Sequence, residues 1–271
     1  MTDLTWSASV WLSRGRHTAR YLAAAPFTYR NWWAVAFSKV GKNVVLEVRN
    51  GTRYFVRAGT ADLAAVNETV IQNPYLRSGG IELPADATVI DIGAYIGDFT
   101  VQAAQACPRG RILAVDPIEA HLRMIERQIA LNQLANVQTI RAAIGDRNAL
   151  VGLAHGGMAS RTVLGVQGTV EMVTLERLMD RYGVESVDLL KLDCEGAEWD
   201  ILPAAEPVLS RVRQISMEFH AERGWTAPRM AAWLRARGFT VSHTSGRWNG
   251  LLWARRPAPL ERRLQSPRAA R

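Results

Sequence analysis

From residue 44 to residue 255 the chain switches between two apolar periods, and the switching predicts its elements. "VVLEVRNGTRYFVRA" (44–58) holds two β-rich runs around Asn50-Gly51 and predicts a hairpin. A helix follows near residues 62–72. "TVIDIG" reads as a strand that leads into a helix from Phe99 to Ala106, and "RILAVDP" is a second strand. Glu119 to Leu134 is a second helix, with Leu122, Ile125, Ile129 and Leu134 on one face. "VQTIRAAIG", "VDLLKLD" and "QISMEFH" are three further strands, the last two separated by a proline-interrupted helical stretch. Thr226 to Arg237 forms a helix with Thr226 as cap, Pro228 in its first turn and Gly238 beyond its end. "FTVSHTS" and "GLLWARR" close the pattern as strands. Strands alternating with helices predict an α/β chain, a doubly wound and mostly parallel sheet covered on both faces. Ligands of such sheets bind at the carboxyl ends of strands where strand order reverses. The strand-ending residues are Asp91, Asp116, Ala143–Gly145, Asp193 and Glu218–His220.

Charge changes the picture only at the ends. The net balance is +8. Residues 1–43 hold six Lys/Arg against one acid, and residues 254–271 hold six Arg against one acid. The remaining body carries 21 basic and 23 acidic residues, so it is no basic groove and nucleic acid is not its expected partner. Cys107 and Cys194 lie in no C-x-x-C spacing, which argues against a disulfide framework or a thiolate metal site. The apolar runs "YLAAAPF" and "WWAVAF" fall short of the roughly 20 residues a membrane helix needs. No signal peptide is evident, so the expected compartment is the cytoplasm. The division expected is a basic, Trp-rich N-terminal extension (1–43), a central domain (44–253) and a disordered basic tail (254–271). Trp6, Trp11, Trp32 and Trp33 beside arginines suit either a helix that packs on the domain or a peripheral membrane contact.

"DIGAYIG" (91–97) is a glycine loop, but its glycines are four apart instead of in the G-x-G-x-x-G order that meets a pyrophosphate. An acid two residues before Gly93 suits a ligand carrying positive charge. Asp116 lies 25 residues after Asp91, where a carboxylate accepts hydrogen bonds from ribose hydroxyls. A nucleoside with cationic groups and no pyrophosphate describes S-adenosylmethionine.

"TVIDIGAYIGDF", "ILAVDP", "AAIGD" and above all "VDLLKLDCEGAEWDIL" resemble the FkbM-type family of S-adenosylmethionine-dependent methyltransferases. The resemblance runs over roughly residues 55–245, with "VRAGTADLAAVNETVIQNPY" upstream and "SMEFHAE" downstream. It implies the class I, Rossmann-like fold with a seven-stranded sheet, and O-methylation of hydroxyls on natural products or sugars. Tyr95 stands where the family usually has Asn, and Cys194 where a small aliphatic residue is common. The expected cofactor set is Asp91, Gly93, Ala94, Tyr95, Gly97, Asp116, Pro117, Ile144, Asp193 and Glu195.

Methyl transfer to oxygen requires the acceptor to be held in line, its proton taken up and water excluded. Period-two alternation puts Lys191 and Asp193 on one face of their strand. Lys191 is the only lysine of the body, a candidate to orient carboxylates or acceptor, or else a plain ion-pair partner of Asp193. Asp193 and Glu195 are candidates for positioning the methionine end or the acceptor, and Glu198 for a helix N-terminal acid. Glu218 and His220 share a face, and His220 is the expected general base. His17, His121 and His243 have no comparable setting, and His155 lies in a glycine-rich excursion that reads as a lid, a hairpin or a surface loop. Magnesium is left unassigned, since Lys191 balances the acids without it. The catalytic set is therefore His220, Asp193, Lys191 and Glu218, acting on a small hydroxylated acceptor. The alternatives are an N-methyltransferase or a binding protein that keeps the fold without catalysis. The Asp-Cys-Glu-Gly run replaces the Asn/Asp-Pro-Pro-aromatic run of base amino-methyltransferases, and "NPY" at 73–75 lacks the second proline.

Overall fold

The computed structural model describes residues 21–154, 161–163, 169–220, 226–244 and 249–256. His17, His155 and residues 257–271 of the expected 254–271 tail lie outside them, as do Trp6 and Trp11, whereas Ala254 and Arg255, expected to open that tail, end the last strand. The chain divides into two compact units, residues 1–73 with 127–133, and 74–126 with 134–271.

The first unit begins with helical residues 21–28, followed by α1 (Ala34–Lys39). The antiparallel pair β1 (Val44–Glu47) and β2 (Arg53–Val56) comes next. The predicted hairpin is present, with its turn at Val48–Thr52. α2 (Asp62–Asn67) runs on into one π-helical stretch, Glu68–Gln72, which Asn73 ends in a left-handed conformation. Leu46, Tyr54, Val56 and Val66 are buried there. The Tyr29 hydroxyl donates to Asn67 Oδ1 at 2.8 Å, and burial raises its pKa. Buried Asp62 takes a two-pronged contact from the Arg57 guanidinium at 2.8 and 2.9 Å. Gln128, also buried, accepts from Phe55 N and donates to Phe55 O, both at 2.9 Å, and so satisfies the backbone of β2.

The second unit is built on β3 (Thr88–Ile92), α3 (Asp98–Ala106), β4 (Arg111–Asp116), the first part of α4 (Glu119–Asn132), whose residues from 127 on belong to the first unit, and β5 (Val137–Arg141). "VQTIRAAIG" does not stay one strand. After Arg141 the chain leaves for a four-stranded sheet made of β6 (Ala143–Ile144), β7 (Ala149–Ala154), β8 (Arg161–Val163) and β9 (Val170–Val173). Within the glycine-rich excursion, β7 and β8 pair antiparallel. α5 (Leu175–Arg181), capped by Thr174 accepting from Arg177 N at 3.1 Å, was not anticipated. β10 (Leu189–Leu192), α6 (Glu198–Ala204), β11 (Gln214–His220), α7 (Ala227–Arg235), β12 (Thr240–His243) and β13 (Asn249–Arg255) complete it.

The large sheet has seven strands in the order β12-β13-β11-β10-β3-β4-β5. β11, β10, β3, β4 and β5 are parallel, while β13 is antiparallel to β11 and to β12. The chain runs outward from β3 to β5, then returns to the other side of β3 as β10. Strand order reverses at that pair. Alternation divides the core between the two faces. Ile90, Ile92, Leu190 and Leu192 pack with α5, α6 and α7, whereas Val89, Ile112 and Leu189 pack with Phe99 and Ala103 of α3. Among the described residues no helix is long and apolar enough to cross a membrane.

Candidate functional site

The reversal point carries charge on its α3 face. Lys191 sits directly opposite Asp91 in the β10–β3 register. Both side chains are buried, and the ammonium reaches Asp91 Oδ1 at 3.0 Å and donates to Gly93 O at 2.9 Å. Asp193 Oδ2 lies farther away, at 3.9 Å. Thr100 Oγ1 donates to Asp91 Oδ2 at 2.6 Å. Burial by itself would depress the Lys191 pKa, but Asp91, Asp193 and Asp98 outweigh it, and the ammonium stays charged well above its ordinary range.

Two expectations change here. The Asp91 carboxylate does not face a cationic ligand, because Lys191 neutralises it and Thr100 occupies its other oxygen. Lys191 does not reach toward an acceptor, because the tips of β3 and β10 enclose it.

Gly93 explains how closely these tips meet. It has φ +74°, and a Cβ at this position would lie 1.9 Å from Asp193 O. The first glycine therefore lets two strand ends touch, while its own N–H donates to Val115 O at 3.0 Å. Ala94 is buried and donates to the same carbonyl, and Gly97, with φ +82°, starts α3 over Ile125.

Asp116, at the tip of β4, is nearly saturated. Its Oδ1 accepts from Ile118 N at 2.8 Å and pairs with His121 Nδ1 at 3.0 Å, and its Oδ2 accepts from Tyr95 N at 3.0 Å. Tyr95, with φ +49°, meets the His121 ring edge-on, centroids 4.8 Å apart. His121 thus has a setting in the loop that its spacing alone did not suggest. A carboxylate oxygen accepts two hydrogen bonds, so one position remains on Oδ2. Pro117 is half-buried beside it. Ile144, in β6, turns its side chain into the apolar core.

The rim of β10 differs. The Asp193 carboxylate is 30% exposed and accepts from Tyr75 OH at 3.0 Å. Tyr75, from the "NPY" run, also packs edge-on against Phe99 at 5.4 Å. Glu195 follows with φ +55° and a side chain 41% exposed. Its Oε2 is 3.5 Å from His220 Nε2, and Glu198 Oε1 is 3.4 Å from His220 Nδ1. The second contact is an ion pair without hydrogen-bond alignment, since Nδ1 has no partner of that geometry.

Glu198 is fully buried. Its two oxygens accept from Cys194 N at 2.8 Å and Gly196 N at 3.0 Å, so it shapes the loop and steers the imidazole as well as opening α6. Trp199 Nε1 donates to the His220 carbonyl. Burial would lower the His220 pKa, but contact with Glu198, then the charges of Glu198, Glu218 and Glu195, raise it to about 9. The imidazole therefore holds its proton at neutral pH, whereas a group poised to take one there was expected. Burial raises the Cys194 thiol well above its ordinary value and keeps it protonated. Among the described residues no three His, Cys, Asp or Glu side chains are grouped to hold a metal ion.

The family model described as the methyltransferase FkbM domain matches residues 91–241, more than half of the chain. AMB antimetabolite synthetase AmbE of Pseudomonas aeruginosa is 29% identical over 223 residues, which is 65% of this chain and 10% of that protein. Methyltransferase sdnD of Sordaria araneosa is 24% identical over 204 residues, covering 61% of this chain and 78% of the relative. The crystal structure of methyltransferase FkbM from Methylobacillus flagellatus KT is 15% identical with a TM-score of 0.51, covering 71% of this chain and 53% of that one. This likeness shows the class I methyltransferase fold. The chain spans a tenth of the length of the Pseudomonas protein and about half of the solved one.

Proposed function

The chain belongs to the FkbM methyltransferase family, and from that premise we propose that it is an S-adenosylmethionine-dependent O-methyltransferase of a small hydroxylated acceptor. The observation that carries this reading is the pair of solvent-reaching carboxylates, Asp193 and Glu195, beside the Gly93 loop where strand order reverses. A sulfonium with an α-amino group needs anionic surroundings, and these two acids reach solvent where Asp91 does not.

The donor set fits the cofactor. Asp116 Oδ2 would offer one further acceptor to a ribose hydroxyl, and Asp193 would hold the cationic end. When bound, the cofactor supplies an electrophilic methyl carbon with a sulfur leaving group. Every other task falls to the chain. Tyr75 and Lys191 hold Asp193 in one orientation, and Glu198 holds His220 at the rim. Once His220 has lost its own proton, its Nε2 takes the hydroxyl proton of the acceptor, and Glu195 stabilises the imidazolium that forms. Glu218, on the same face of β11, adds negative charge to that end.

Incubation with methyl-labelled S-adenosylmethionine and a panel of glycosides and phenols, with matched amines alongside, tests the reading. Label on an oxygen of the acceptor supports it. Label only on amines overturns O-methylation, and cofactor binding without any transfer overturns catalysis.

A further inference from the structure

The first unit contains a helix whose outward face is the wrong polarity for water. In α1, Ala34, Val35 and Ser38 point inward and are buried. Trp33, Ala36, Phe37 and Val40 recur at i, i+3, i+4 and i+7, and all are exposed. Trp33 is 53% and Val40 72% exposed. A surface helix ordinarily turns polar residues outward. Here the one polar side chain among the inward positions is Ser38, and the outward stripe is wholly apolar. Phe27, 82% exposed, and Trp32 extend the same character to the flanking residues, and Trp32 meets Trp33 edge-on at 6.3 Å. The exposed stripe and the Trp32–Trp33 ring pair form a run of apolar surface, and exposed apolar surface of this kind marks a binding face.

Charge identifies the occupant. Residues 21–49 contain Arg30, Lys39, Lys42 and Arg49 against one acid, Glu47, which is already paired with Arg30 at 3.2 Å. The Lys42 ammonium stands 5.7 Å from the Phe37 ring centroid, so a cation lies beside the apolar stripe. Arg49 is exposed and donates to Pro26 O at 2.8 Å, next to Phe27. Indole and phenyl rings flanked by cations match the boundary between acyl chains and anionic headgroups. The rings enter the apolar layer, the indole N–H stays with the headgroups, and Lys or Arg meets phosphate.

We infer that the outward stripe of α1, with Phe27, Trp32 and Lys42, docks the chain on an anionic lipid bilayer. The docking is peripheral and independent of the methyl-transfer reading.

Sedimentation of the full chain with vesicles tests it, using phosphatidylcholine alone and phosphatidylcholine mixed with phosphatidylglycerol. The chain should sediment with the anionic vesicles and bind neutral ones about tenfold or more weakly. The triple variant Trp33→Ser/Phe37→Ser/Val40→Ser should lose about a hundredfold in partitioning, while its melting temperature and cofactor affinity stay those of the parent. Lys42→Glu leaves the stripe intact and should weaken binding to anionic vesicles only, so it decides the matter if the triple variant fails to fold. Four results overturn the inference: no binding to either vesicle, equal binding to both, a triple variant that binds like the parent, or a lipid-independent dimer that the triple variant abolishes.

Discussion

Lys191 and His220 are both cations held among carboxylates at the ends of neighbouring strands, yet they sit in opposite surroundings. Lys191 is sealed between β3 and β10, its ammonium shared by Asp91, Gly93 O and, more distantly, Asp193. His220 stands at the rim of β11 between buried Glu198 and half-exposed Glu195. A buried charge that lost its partner would face the desolvation penalty of a low-dielectric interior, so the inner pair is fixed in composition and geometry. A rim charge still shares its surroundings with water, so it can exchange a proton or a partner at modest cost. The inner pair holds the strand ends in contact. The rim is where the proposed chemistry would take place.

Breaking the inner pair should have the largest effect. Lys191→Met leaves Asp91 buried without its counter-ion and should lower the unfolding free energy by about 3–5 kcal/mol in urea denaturation. Adding Asp91→Asn should recover part of that loss, which simple loss of lysine packing would not allow.

The matching change at the rim, His220→Gln, should lower the melting temperature at neutral pH by less than Lys191→Met does, and leave it nearly unchanged above about pH 9, where the imidazole has lost its charge. Turnover should fall about 10²–10⁴-fold, with cofactor affinity retained. Full activity in this variant would remove His220 as the proton acceptor.

Within the wild type, pH separates two consequences of the same group. The folded pKa of His220 is raised, so its ion pairs stabilise fully below the unfolded value of about 6.5 and fade as pH rises through about 9. Activity should move the opposite way over that window, because only neutral imidazole accepts a proton. Thermal melts and initial rates between these limits should cross in sign, and both trends should flatten in His220→Gln.

The smallest effect belongs to Asp116→Asn. This variant keeps one acceptor oxygen but weakens the contacts of Tyr95 N, Ile118 N and His121. Cofactor affinity should fall about tenfold by calorimetry, in line with the loss of a charge-assisted hydrogen bond.

Much of this frame was legible in the chain. "TVIDIG", "RILAVDP", "VDLLKLD" and "QISMEFH" became β3, β4, β10 and β11, because buried parallel strands are written as near-continuous apolar runs. α5 could have been read from Leu175, Leu178 and Met179 behind Thr174, but the glycine-rich excursion before it masked the change of period. Partners distant in sequence were not legible. Nothing near Asp91 shows that Lys191 neutralises it, a contact spanning 100 residues that only the β10–β3 register creates. Tyr75 is hidden for the same reason, since its partner Asp193 is 118 residues away, whereas His121 meets Asp116 only five residues before it, through a turn that carries no apolar period. The wrong-sided stripe of α1 was also hidden, because a sequence of mixed apolar residues does not say which face turns outward.

The most direct measurement is calorimetric titration of S-adenosylhomocysteine into the wild type and into Asp193→Asn, with melting curves recorded for both. Saturable binding to the wild type, at least about tenfold weaker in a variant that melts normally, is the expected outcome if the rim carboxylate faces the cationic end of the ligand. No binding to the wild type, or equal affinity in the two proteins, would contradict the assignment of the rim as the ligand's seat.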